Sequence, residues 1–334
     1  MIKYLIVVAV CSISVLFPAK NTQLVEDYPM LTDLEMALGK DFGDKKPNMS
    51  IKGVSAEAGE SLVKNGFATN ASGKKTKQQS KHFVCTSCHN VEREDPNMAV
   101  NDAQARLLYT NEKGLPYLQG TALYGAVNRN TYYNGDYYKK YGDLVYKAKN
   151  NVREAIQLCA QECAQGRKLK DWELESILAY LWKIGLKTSD IQLSETEKTD
   201  LGEAVNNKEK QQEALFLVSK KYLDSSAATF VVPPVDRDKG NGLNGDVENG
   251  KLIYKNSCLY CHDKGRYSYL SLDEGSMSRN YLKKHIGTYH RQSVYQVVRW
   301  GVPVKSGKKS YMPQYPVEKL SEQQLADLVA FINN

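Results

Sequence analysis

Cys85-Thr86-Ser87-Cys88-His89 and, far along the chain, Cys258-Leu259-Tyr260-Cys261-His262 decide how this sequence reads. In each stretch two thiols stand three positions apart and an imidazole follows at once. That spacing lets both thiols add to the vinyl groups of one porphyrin while the His reaches the iron from the proximal side. The chain has only seven Cys and five His, so two chance copies of the pattern are negligible. A zinc site made from the two Cys pairs would need ligands from distant segments and would leave both adjoining His residues without a role. A pair of redox disulfides leaves them unexplained as well. The expectation is two covalently bound haem c groups, attached through Cys85, Cys88, Cys258 and Cys261, with His89 and His262 as iron ligands.

Working outward, each motif is followed by a strong helix signal. After the first, Leu174, Ile177, Leu178 and Leu181 recur at the spacing of one helix face, with Asp171 as the candidate cap. After the second, Ser321 and Gln324 form a capping box ahead of Leu325, Leu328, Val329 and Ile332. The aromatic is repeated too, Tyr180 against Phe331. Two copies of one haem-binding architecture are the simplest account. A chain of 334 residues is long enough for two cores. The expected division is a leader at 1–19, an N-terminal arm at 20–54, a first haem domain at 55–185, a linker at 186–244 and a second haem domain at 245–334. Within the linker, 207–223 reads as a polar helix. Phe230 to Pro234 reads as extended chain, and 240–245 as a Gly/Asn-rich turn. The arm, alternating acidic, Lys-rich and Gly/Ser-rich pieces, is expected to be mobile.

The chain starts Met-Ile-Lys and continues with an apolar run from Tyr4 to Phe17, the pattern of a secretory signal with Ala19 at the cleavage point. Cys11 follows Val-Ala-Val, which is similar to a lipoprotein signal, so a membrane association is expected only if this segment is retained or lipidated. Periplasmic or other extracytoplasmic location agrees with covalent haem attachment. Apolar residues at 42% and charged residues at 25% describe a water-soluble globular chain. The net charge of +7 includes Lys74-Lys75 and Lys308-Lys309 without basic and aromatic interleaving. That excludes a nucleic-acid-binding module and leaves steering of an acidic redox partner as the functional role for the charge.

Gly250 and Tyr254, the run Val297-Val298-Arg299-Trp300-Gly301 and Tyr311-Met312-Pro313 before the last helix resemble a class I cytochrome c domain. The resemblance implies Met312 as the sixth ligand of the second haem. A thioether donor raises the potential and keeps the iron six-coordinate. Met277, His285 and His290 are the competing donors. The first domain has no Met-Pro. It offers Met98, nine residues past His89, and the segment Leu158-Cys159-Ala160-Gln161-Glu162-Cys163. A disulfide between Cys159 and Cys163 would be strained in an unbroken helix, where such positions have β-carbons about 5–6 Å apart and a disulfide wants about 3.8 Å. A thiolate presented to iron is the sharper reading, and it would lower the potential of this haem.

The segment from Phe83 to Gly185, with Cys159 seven residues before Gly166 and eight before Arg167 and then Ala179-Tyr180, resembles the dihaem thiosulfate dehydrogenase family. That family ligates its first, catalytic haem with a Cys and its second with a Met. The resemblance implies Cys159 as ligand, and as the catalytic residue if the protein is an enzyme acting on sulfur oxyanions such as thiosulfate or tetrathionate. Cys163, Met98 and a structural pair of thiols remain the alternatives. The family's Arg four residues before the ligand Cys is replaced by Ala155, with Arg153 nearby. Arg129, in the Tyr-rich segment from Tyr124 to Tyr146, is read as a partner for a haem propionate, with an anionic substrate as the alternative. The expected fold is mainly α, two cytochrome c-type domains joined by a helical linker. The expected function is electron transfer between redox partner proteins, with a thiosulfate dehydrogenase or tetrathionate reductase-like oxidoreductase as the alternative.

Overall fold

The computed structural model describes residues 24–287, 293–302 and 312–334. The apolar leader with Cys11, and also His290, Lys308, Lys309 and Tyr311, lie outside the described residues. The architecture is mainly α, and among the described residues β-structure is confined to isolated bridges.

In chain order, α1 (Leu31–Ala37) is followed by α2 (Ala56–Asn65), which Ser55 starts by accepting the Ala58 N–H at 3.1 Å. Asp102 caps α3 (Ala103–Glu112) and Asn151 caps α4 (Val152–Leu158), each accepting two N–H groups of the first turn. Without a break, α4 runs into a wider π-helical turn, Cys159–Cys163. Then come α5 (Asp171–Lys183), α6 (Glu195–Val205) and α7 (Gln211–Ser219). Asp246 caps α8 (Val247–Ile253), which also passes into a π-helical turn, Tyr254–Cys258. The last elements are α9 (Ser276–Gly287), α10 (Val294–Trp300) and α11 (Glu322–Asn333).

Two helix crossings organise the molecule, and they are built alike. α2 lies across α5, and α8 lies across α11. At the first crossing a side chain on Gly59 would run into the Ser176 carbonyl and the Tyr180 β-carbon; at the second, one on Gly250 would run into the Asp327 carbonyl and the Phe331 β-carbon. The glycines let the backbones touch, and Tyr180 and Phe331 fill corresponding places. The apolar faces read from the periodicity are the buried ones: Leu174, Ile177, Leu178 and Leu181, and Leu325, Leu328, Val329 and Ile332. Each such side chain contributes about 1.5–3 kcal/mol on burial. The Ser321–Gln324 capping box forms, with Gln324 N–H on Ser321 Oγ at 3.1 Å and Ser321 N–H on Gln324 Oε1 at 3.0 Å. Asp171 is not the cap of α5. Lys170 takes that place, and the Glu173 carboxylate accepts its N–H at 2.9 Å, because Glu173 is already anchored by Arg167.

One expectation about the connections is corrected: from residue 24 on the N-terminal arm is packed rather than loose, with Leu31, Leu34 and Leu38 fully buried against Leu201, Ala204 and Val218 of α6 and α7. The linker helix read at 207–223 is present as α7, shorter at both ends, and α6 precedes it. Both helices pack with the arm as a third small core, and the chain crosses to the second half as extended backbone. There Phe230 N–H meets Asp136 at 3.0 Å, Val317 N–H meets the Thr229 carbonyl at 3.0 Å, and Trp300 Nε1–H meets the Val231 carbonyl at 3.0 Å. The boundary between the halves is also less clean than residue numbers suggest. Leu107 of α3 and the nearby Tyr117 belong to the core formed by α8, α10 and α11.

Candidate functional site

In the first half, Cys85, Cys88 and His89 form one wall of an apolar cavity of about 210 Å³. His89 Nδ1 lies 2.7 Å from the Thr121 carbonyl. A proton on Nδ1 makes that bond and leaves Nε2 as the bare donor atom, the arrangement of a metal-binding imidazole. Gly120 is packed on the ring so closely that a β-carbon there would stand 2.5 Å from His89 Cε1. Burial holds the imidazole pKa below its ordinary value, with the Thr121 carbonyl opposing. His89 is therefore neutral, as a ligand must be.

The second half repeats the device. His262 Nδ1 lies 2.9 Å from the Leu270 carbonyl, and burial likewise lowers its pKa. Cys258, Cys261 and His262 face a smaller cavity that Met312 and Pro313 also line. Met312 is held there by backbone pairing with Val302, whose N–H meets the Met312 carbonyl at 2.9 Å. The competing donors among the described residues, Met277 and His285, do not line this cavity. Met277 is 83% exposed, and His285 Nδ1 is tied to the Tyr281 carbonyl on its own helix.

The first cavity is also lined by both Cys159 and Cys163. The helix that bears them widens at these residues and ends at once, with Gln165 in the left-handed region (φ +53) and the Gly166 N–H returning to the Ala160 carbonyl at 2.9 Å. Gly166 is required by close approach, since a side chain there would strike Gln79, which binds the Ala160 carbonyl at 2.8 Å. Arg167 is turned outward onto Glu173 and the Lys77 carbonyl. Both thiols belong to the same π-helical turn. The Cys159 thiol and the hydroxyls of Tyr141 (3.5 Å) and Tyr133 (3.8 Å) hold the Cys163 pKa down at about 7, while Cys159, as the donor of the pair and buried, is pushed up.

Tyr133, Tyr137 and Tyr141 line the same side, their rings in mutual contact. The sequence marked this segment as Tyr-rich without revealing its contact to Cys163. Tyr133 sits at φ +50, an uncommon conformation for a bulky residue. Ala155 lines the cavity, but Arg153 does not replace the Arg missing there. Its guanidinium is engaged by both Glu175 oxygens and by the carbonyls of Asp44 and Lys46. Arg129 does line the cavity, anchored on the Ala122 and Tyr124 carbonyls. Met98 does not; it packs with the arm and the linker helices.

The two cavities share part of their walls. Phe83, Cys88, Gln119 and Pro313 border both. The motifs are also tied directly, with Tyr260 Oη donating to the Thr86 carbonyl at 2.8 Å. None of these wall residues stood out in the sequence apart from Cys88 and Pro313.

A family model described as cytochrome c oxidase, cbb3-type, subunit III, matches residues 245–332. The C-terminal part of this chain is a cytochrome c domain. A cytochrome c domain carries covalently bound haem c and serves haem-based electron transfer, and the second cavity suits it: two thiols, an imidazole with Nε2 bare and a thioether line it together. Comparison of the chain with curated proteins and with solved structures finds no significant match.

Proposed function

We propose that the chain is an exported dihaem cytochrome c in which the first cavity holds a second covalent haem, and that electrons pass between the two haems on their way from one redox partner protein to another. The observation that carries this reading is the repetition at His89 of what the cytochrome c domain has at His262. Each imidazole follows a Cys pair, binds a carbonyl through Nδ1, and faces an apolar cavity beneath a glycine-mediated helix crossing. Cys85 and Cys88 would hold the first haem, His89 would bind its iron, and Cys159 would supply the opposite ligand as thiolate. Cys258, Cys261, His262 and Met312 play these parts in the second. A bound haem supplies a one-electron couple. The chain supplies short separation through Phe83, Cys88, Gln119 and Pro313, the side chains common to both walls, and unequal ligands that set the two potentials apart. Export agrees with the apolar leader read in the sequence, and the net charge of +7 suits an acidic partner.

A second reading is favoured by the size of the first cavity and by the thiol pair facing it: oxidation of thiosulfate or reduction of tetrathionate at the first haem, with Met312's haem exchanging electrons with the partner. Arg129 is the cation that lines the cavity in place of the Arg replaced by Ala155.

Haem content tests the main reading. Denatured, acid-acetone-extracted protein should keep its full haem colour, with a mass two haems above the polypeptide, and a count of one would overturn it. Turnover of thiosulfate or tetrathionate with a redox dye decides between relay and enzyme.

A further inference from the structure

The described residues contain six free cysteines, of which four belong to the two attachment motifs. The other two, Cys159 and Cys163, stand together. Both line the first cavity, and both belong to one π-helical turn. A thiolate ligand needs only one of them. The second thiol is positioned by Tyr133 and Tyr141, whose hydroxyls converge on its sulfur at 3.8 and 3.5 Å.

The backbone is not the regular helix on which the objection to a bond between these positions rests. Cys159–Cys163 is a π-helical turn rather than an α-helical one, with the Ala164 N–H reaching back five residues to the Cys159 carbonyl at 2.8 Å. The helix ends at Ala164, and Gln165 takes the left-handed conformation. Cys163 thus lies in a last, widened turn with no regular helix beyond it to hold it in register.

We infer that Cys159 and Cys163 form a two-electron dithiol/disulfide centre inside the first haem cavity, coupled to the haems. This rests on the reading that the cavity holds a haem. In the reduced state Cys159 is the thiolate on iron and Cys163 is the free thiol beside it. On oxidation one S–S bond forms between them, the Cys159–iron bond breaks, and the Cys163 proton leaves to solvent. The two electrons go to the two ferric haems, one each, so the step balances without a further oxidant; reduction reverses it. The oxidised state leaves the first iron without its sulfur ligand, so the couple switches this haem between a closed form and one open to an added ligand.

The test uses the holoprotein, fully oxidised with ferricyanide, freed of the oxidant and then titrated with dithionite, with haem content measured on the same sample. Wild type should take up two electrons per chain beyond its haem count, and Cys163→Ser only as many as it has haems. Alkylation of the denatured oxidised protein should leave Cys159 and Cys163 unmodified in wild type, their peptide lighter by two hydrogens than after reduction. This mass measurement needs no variant. Equal uptake by wild type and Cys163→Ser, or alkylation of both thiols after full oxidation, would overturn the inference. A haem count of one would instead strike the dihaem reading, and the excess of two electrons would still be read separately.

Discussion

Lys319 Nζ lies 2.9 Å from Glu94 Oε1, and both side chains are almost wholly removed from solvent. Arg106 approaches the other carboxylate oxygen at 3.3 Å and donates to the Lys319 carbonyl at 2.6 Å. Glu94 follows the first motif and Lys319 precedes α11, so this buried triad joins the two halves. Burial alone would raise the Glu94 carboxyl, but Lys319 and Arg106 outweigh it and hold the pKa at about 2.

Glu94→Gln leaves two buried cations without their counter-charge, and the expected loss is about 3–5 kcal/mol in denaturant unfolding. The pH dependence has a definite sign. The folded pKa lies below the ordinary 4.5, so this contribution is complete above about pH 4.5 and is lost as pH falls through about 2. Wild-type stability should fall across that window, and the variant should lack this part of the acid limb. An unchanged acid limb would show that the triad does not hold the halves together.

Met312→Ala should keep the fold, because the pairing with Val302 uses Met312 backbone atoms. The weak far-red sulfur-to-iron band of the ferric protein should vanish, and one reduction potential should fall while the other stays. Survival of the band would hand the ligand role to another donor.

Cys159→Ala should abolish the low-spin ferric resonance signature of thiolate ligation at the first haem, whereas Cys163→Ala should retain it. The two thiols line one cavity, so spectra of both variants are needed. The opposite pattern would move the ligand to Cys163.

Gly250→Ala should cost about 1–3 kcal/mol, the range for overpacking, although Ala is intrinsically better in a helix by about 1 kcal/mol. The new methyl would overlap the Asp327 carbonyl, so α8 and α11 must separate. Thermal unfolding reads the effect, and a stabilised variant would contradict the close crossing.

Much of this was legible in the sequence where the information is local. The attachment motifs are contiguous, and the buried faces of α5 and α11 follow from a 3.6-residue period over more than three turns. The cap of α5 was misplaced by one residue because Glu173, not Asp171, closes it. The arm was misread because α1 is only seven residues long and its partners, Leu201 and Val218, are remote in sequence. Its Leu31, Leu34 and Leu38 do carry helical spacing. Around the first cavity, Cys159 and His89 were singled out in the sequence and both line it. The Tyr133 and Tyr141 contacts to Cys163 were not, because they depend on a loop conformation with no periodic signature.

The filling of the second core by Leu107 and Tyr117 bears on modularity. Tyr117 Oη binds Gln324, its N–H binds the Asn256 carbonyl, and its ring packs beneath the Arg106 guanidinium at 4.0 Å. A fragment cut at residue 245 would keep Cys258, Cys261, His262 and Met312 yet lack these plugs, which share a core with Tyr315 and Leu328. The two halves resemble beads on a string in sequence, but in three dimensions they are interlocked, and neither is a transferable unit.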